Sequence, residues 1–173
     1  MNLPLFLFQA FASTTAYLTI FLRFGVPYLS KRPISVTLTT FLLPNLFRHI
    51  GLATLSSQVV APEFAVKIGP SVAVGDFLVL LTTYLALIAI WKRMKVAILL
   101  CWLFVVLGFM HDAAVTRSML TAPFSAVDRI GSHWYVATFV VPMMVLTEIL
   151  MLFTLCRRGA DLKREFSSGG VGN

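Results

Sequence analysis

The chain has 173 residues, of which 58% are hydrophobic and only 12% charged; that charged share is about half the soluble-domain average. So little polar surface cannot clothe a water-facing exterior, and long unbroken apolar runs rich in Phe and Leu point to a bilayer instead. The net charge of +7 does not indicate nucleic acid, because the basic residues sit at the ends of the apolar runs, where they set membrane orientation.

The chain opens with MNLPLFLFQAFASTTAYLTIFL, which has no Lys or Arg before Arg23 and no small-residue cleavage site. It reads as a retained first helix rather than a signal peptide. Five apolar segments follow one another, at about 3–22, 34–59, 71–91, 95–115 and 133–156. Each approaches or exceeds the length of about 20 residues that a spanning helix needs, and only helices satisfy their own backbone in lipid. Arg23, Lys31 and Arg32 lie between the first and second segments, and Lys92, Arg93 and Lys95 between the third and fourth. Arg157, Arg158, Lys163 and Arg164 follow the fifth. The other connections carry Lys67, Arg117 and Arg129. Ten basic residues thus fall on one side and three on the other. The predicted fold is all-α: a polytopic bundle of five transmembrane helices, N-terminus outside and C-terminus cytoplasmic. Residues 1–160 form one transmembrane domain, and 161–173 form a short, disordered cytoplasmic tail.

The connections differ in character. WKRMK is short enough to make the third and fourth helices antiparallel neighbours. APEFAVKIGP, bounded by prolines, reads as a compact loop, and TRSMLTAPFSAVDRIGS as a segment lying along the interface. Trp91, Trp134, Tyr28 and Tyr135 fit an aromatic belt near the segment ends, whereas Trp102 lies deeper and packs between helices. Cys101 and Cys156 have no metal-ligand spacing and read as buried thiols. No internal repeat is visible.

The polar residues inside the spans carry the functional argument. Counted from the outer end of its segment, Arg48 lies about 11 residues in, a depth of roughly 16 Å at the α-helical rise. Facing lipid there would cost at least about 2.5–3.5 kcal/mol, so Arg48 should point inward and find acids. Asn45, Arg48 and His49 share an α-helical face by their i, i+3, i+4 spacing, Ser56 continues it, and Pro44 weakens the helix ahead of it. Asp76, after Gly75, and Asp112, beside His111 and on the face of Gly108, are the candidate acids, with Gln9 at similar depth. The expected ligand-binding or charge cluster is Gln9, Asn45, Arg48, His49, Asp76, His111 and Asp112. Glu148 is a further buried acid on the inner half, expected to hold a proton or to meet the hydroxyls of Ser13, Thr14, Thr15 or Thr83.

Two readings of this cluster stand side by side: paired charges that lock helix register, or a ligand, proton or cofactor site. No cofactor or metal is expected. A bis-His haem on His49 and His111 is disfavoured, because the two differ in depth by about 8–10 Å, and a metal site from His49, His111 and Asp112 has no better support. No Gly-rich phosphate loop, Ser-His-Asp order or HExxH motif occurs, so no catalytic residue is named.

The motifs FRHIGL, VGD, a Trp followed by HDAA, GSHW and VVP resemble those of a group of small uncharacterised bacterial multi-pass inner-membrane proteins. That group shows an Arg helix, a Gly-Asp helix, a Trp-to-Asp helix and a Trp-to-Pro helix. The likeness runs over residues 44–158 and falls on Arg48, Gly75, Asp76, Trp102, Asp112, Trp134 and Pro142. It implies a bacterial inner membrane and carries no activity. The expected role is an accessory or structural subunit of a membrane complex, or a small-ligand binder. The expected partners are the lipid bilayer and other membrane subunits or further copies of the chain. A small proton-coupled transporter or permease is the alternative, followed by a membrane redox or lipid-modifying enzyme.

Overall fold

A computed structural model describes residues 3–123 and 125–168. Those residues are all-helical, with no strand among them. In chain order they form α1 (Leu3–Ile20), α2 (Val26–Leu29), α3 (Ile34–Leu42), a 3-10 segment (Leu43–Leu55), α4 (Pro62–Lys67), α5 (Gly69–Trp91), α6 (Ala97–Thr121), α7 (Ala126–Arg129) and α8 (Val141–Ser168). Four stretches are long and apolar enough to cross a membrane: Leu3–Leu29, Gly69–Trp91, Ala97–Thr121 and Gly131–Phe166.

The second predicted segment is absent from those four for a physical reason. Its α-helix, α3, is only nine residues long and gives way at Leu43–Pro44 to thirteen residues of 3-10 helix. Asn45, Arg48 and His49 then lower its hydropathy. Pro44 is one of three prolines at which a helix departs from α geometry. Ahead of Pro27 the chain forms a π turn, Phe21–Gly25, in which Val26 N–H returns to the Phe21 carbonyl. Ahead of Pro142 it forms another, Val136–Val140, in which Val141 N–H returns to the Val136 carbonyl. A proline has no N–H to offer and its ring crowds the carbonyl four residues back, so the adjoining turn widens or tightens.

The tightest connection is Lys92–Val96. Met94 N–H bonds back to the Ala89 carbonyl at 2.8 Å while Arg93 takes a left-handed conformation, φ 51°. This closes α5 and returns the chain as α6, as the shortness of WKRMK predicts. The two long connections meet at the other end. Ala61 N–H donates to the Arg129 carbonyl at 2.9 Å, and Ser132 N–H to the Val59 carbonyl at 3.0 Å. Phe64, Ile68, Ile130 and Trp134 form a separate apolar cluster beneath this cap. The expected loop APEFAVKIGP is therefore mostly helix α4, and α6 continues to Thr121 before the short α7.

The main core lies between α3, α5, α6 and α8, around Leu38, Leu42, Leu87, Phe104 and Met151. Of the tail expected from residue 161, the stretch up to Ser168 continues α8 with Leu162 buried, and 169–173 lie outside the described residues. Cys101 is buried as expected; Cys156 is instead exposed, and both are free thiols. Trp134 is not at the surface but buried, edge-on to Phe6 at 5.0 Å.

Candidate functional site

The site is built by the 3-10 segment. Three residues per turn stack every third side chain on one line. Asn45, Arg48, Gly51 and Thr54 are its buried residues, and they form one seam against α5. At the far end of that seam the Thr54 hydroxyl bonds the Gly51 carbonyl at 2.6 Å. Gly69 abuts the Thr54 backbone so closely that a Cβ on Gly69 would lie 2.5 Å from the Thr54 carbonyl oxygen.

Arg48 sits mid-seam, 4% exposed, and its guanidinium is fully engaged. Nε donates to Asn45 Oδ1 at 3.2 Å. Nη1 donates to Asp76 Oδ1 at 2.7 Å. Nη2 reaches Asp112 Oδ1 at 3.4 Å and also pairs with Glu148 Oε1. Asn45 is held in turn: its Nδ2 donates to the Phe41 carbonyl and to Thr147 Oγ1, both at 3.1 Å. His111 Nε2 meets Asp76 Oδ1 at 3.1 Å. One guanidinium thus gathers carboxylates from α5, α6 and α8.

Three glycines make room for these groups. A Cβ on Gly51 would overlap the Asp76 carboxylate, and one on Gly75 would overlap the His111 ring. A Cβ on Gly108 would lie 2.6 Å from the Glu148 carboxyl carbon. Each glycine faces a charged or polar side chain of the next packed element: 3-10 segment to α5, α5 to α6, α6 to α8. Small residues allow such close approach between helices.

The acids outnumber the bases. Three carboxyls surround Arg48, and His111 adds at most one further positive charge. Asp112 and Glu148 meet at the same Arg48 nitrogen, Nη2. Asp112 Oδ2 and Glu148 Oε2 are buried without a partner among the described residues. Glu148 is fully buried.

The structure brings together Asn45, Arg48, Asp76, His111, Asp112 and Glu148, but not all the expected members. His49 is exposed, its Nδ1 on the Leu46 carbonyl at 2.9 Å, because four residues along a 3-10 helix is a third of a turn off the seam. Ser56 ends the segment as its extended cap and does not continue the stripe. Gln9 accepts a hydrogen bond from Trp134 Nε1 at 2.5 Å and so ties α1 to the last span rather than joining Arg48. Glu148 meets none of the expected hydroxyls: Thr14, Thr15 and Thr83 bond carbonyls of their own helices.

Its true partner is Arg48. The expectation missed Gly51, Thr54 and Thr147. For the first two the signal was present, since Asn45, Arg48, Gly51 and Thr54 recur every three residues.

A family model described as Domain of unknown function (DUF8737) matches residues 5–156, a stretch that includes every member of this cluster. No curated protein and no solved structure matches the chain.

Proposed function

Because the chain belongs to the family described as Domain of unknown function (DUF8737), we propose its function from the site itself: a small multi-pass membrane protein that binds a proton, the smallest cationic ligand, at the Arg48 cluster. The observation that carries this is the acid excess, three carboxyls on one guanidinium with two buried carboxylate oxygens unpartnered. A lock on helix register needs one acid per base. Additional buried acids are costly unless something positive compensates them. A proton held on Asp112 and Glu148, whose carboxyls meet at Arg48 Nη2, does so in the least space. Of the two leading roles that the sequence leaves open, accessory subunit and small-ligand binder, the geometry favours the second. Glu148 is paired within the chain rather than left for an outside subunit to meet.

This reading places five spans in the bilayer. The second, 34–55, has nine α-helical and thirteen 3-10 residues. At 1.5 and 2.0 Å per residue it is about 40 Å long, more than the hydrocarbon thickness of about 30 Å. Five spans also leave ten basic residues on one side and three on the other, which favours an external N-terminus and a cytoplasmic C-terminus. A bacterial inner membrane is proposed on the resemblance of the motifs alone.

The test is infrared difference spectroscopy of the purified chain through a pH jump. A protonated-carboxyl band should respond to pH in the wild type and vanish in Glu148→Gln, with melting temperature nearly unchanged because Arg48 keeps Asp76 and Asp112. The absence of any such band in the wild type would sink the proposal.

A second reading, proton-coupled transport, is favoured by the 3-10 segment itself. Long 3-10 runs are uncommon and often mark hinges. Relaxation of Leu43–Leu55 towards α geometry would rotate the seam and move Arg48 relative to Asp76. Proteoliposomes loaded with a pH-sensitive dye would show proton flux that Arg48→Gln abolishes; a flux equal to that of empty liposomes rejects transport while leaving proton binding intact.

A further inference from the structure

At the opposite end of the first span, Arg23, Lys31 and Arg32 converge on an open concavity of about 480 Å³ walled by Phe24, Pro27 and Tyr28. Among the described residues no carboxylate lies within ion-pair distance of any of these three cations. The pocket is anchored. The Arg32 guanidinium lies 4.7 Å from the centre of the Tyr28 ring, and the Arg32 carbonyl accepts from Arg158 Nη2 of α8 at 3.3 Å.

A second concavity, about 550 Å³ and strongly apolar, runs up α1 between Phe8 and Ile20, floored by Ala12, Thr15, Ala16 and Thr19. The hydroxyls of Thr15 and Thr19 are spent on the carbonyls of Phe11 and Thr15, at 2.9 and 2.7 Å, so they offer nothing polar to an occupant. Its residues recur at the i, i+3, i+4 spacing of one helix face, and the π turn that carries Arg23 and Phe24 follows it directly in the chain. The twelve residues from Phe8 to Ile20 rise about 18 Å. One leaflet of hydrocarbon is about 15 Å thick.

We propose that this face of α1 binds an anionic phospholipid, its phosphate among Arg23, Lys31 and Arg32 and an acyl chain along the groove from Phe8 to Ile20. Charge selects the occupant. Three cations without counter-ions among the described residues attract an anion, while the groove above them excludes a purely soluble one and fits a chain one leaflet long. A zwitterionic lipid fills the groove equally well but brings its own cation to the pocket. The site is separate from the Arg48 cluster and stands or falls without it.

The experiment is native mass spectrometry of the full chain, purified in mild detergent and equilibrated with equal amounts of phosphatidylglycerol and phosphatidylcholine. The wild type should retain phosphatidylglycerol with an enrichment of about tenfold, given three basic contacts. Arg23→Gln, Lys31→Gln and Arg32→Gln together should bring the two lipids to parity. The same loss of charge at Lys92, Arg93 and Lys95 should leave the enrichment in place. Ala16→Phe, which fills the groove and touches no charge, should lower retention severalfold, and melting temperatures report that each variant is folded. Equal retention of both lipids by the wild type overturns the proposal, as does an equal fall in the Lys92 control set. Full displacement of the lipid by inorganic phosphate also overturns it, by assigning the pocket to a soluble anion.

Discussion

The 3-10 segment and α1 are opposites within one chain. The segment Leu43–Leu55 turns its polar residues inward: Asn45, Arg48 and Thr54 are buried, while Leu43, Phe47, Leu52 and Leu55 are exposed. In α1 only Ser13 is buried, and Phe8, Phe11 and Ile20 are among the most exposed side chains of the molecule. A water-soluble protein would be arranged the other way round. In the proposed membrane setting, the contrast teaches that hydrophobic burial alone does not assemble this fold, because lipid is as apolar as Leu. Close helix approach at glycines, interhelical hydrogen bonds and buried ion pairs add to the apolar core, and the remaining apolar side chains serve as the surface.

That contrast predicts where substitutions hurt. The largest effect belongs to Arg48→Ala, which leaves Asp76, Asp112 and Glu148 facing one another without the guanidinium. Breaking a buried pair by removing one partner costs about 3–5 kcal/mol, and a large fall in melting temperature of the detergent-solubilised protein should report it. Arg48→Lys keeps the charge but cannot reach Asn45, Asp76, Asp112 and Glu148 at once, so it should fall between wild type and Ala. Next comes Gly51→Ala. Asp76 is pinned by Arg48 and His111 and cannot swing away from the added methyl, so overpacking should cost about 1–3 kcal/mol. If Arg48→Ala and Gly51→Ala melted like the wild type, the polar seam would not be what holds the helices together.

The same contrast explains what was legible in the sequence. Hydropathy and length reveal apolar spans because lipid imposes both. The meeting of Arg48 with Asp76 and Asp112 was legible because a buried guanidinium must find acids. The local geometry of the second span was not. Pro44 marks a break in the α-helix, but a proline does not announce whether the chain beyond it tightens to 3-10, widens to π as ahead of Pro27 and Pro142, or kinks. Assuming 100° per residue put His49 on the seam, and matching residues by depth alone left Glu148 without a partner. The three-residue recurrence of Asn45, Arg48, Gly51 and Thr54 held the correction, yet it competes with an equally plausible α-helical stripe until the backbone is known. Gln9 was placed by depth alone, and depth does not say which helix is next door.

The smaller effects sharpen the comparison from the side of α1. Trp134→Phe removes the hydrogen bond to Gln9 while keeping most of the edge contact with Phe6. It should cost about 1 kcal/mol, and limited proteolysis should then cut the α1–α3 connection sooner than in wild type. Phe11→Ala strips a large side chain from a residue 71% exposed. In water-soluble cores losing a Phe costs about 3–5 kcal/mol, but here lipid or detergent replaces the lost contacts with others of the same kind. The melting temperature should therefore stay within about 0.5 kcal/mol equivalent of wild type. A cost near that of a core Phe would mean that the face of α1 packs against protein in the native membrane. The phenylalanines of α1 would then belong with the buried seam of the second span rather than stand opposite it.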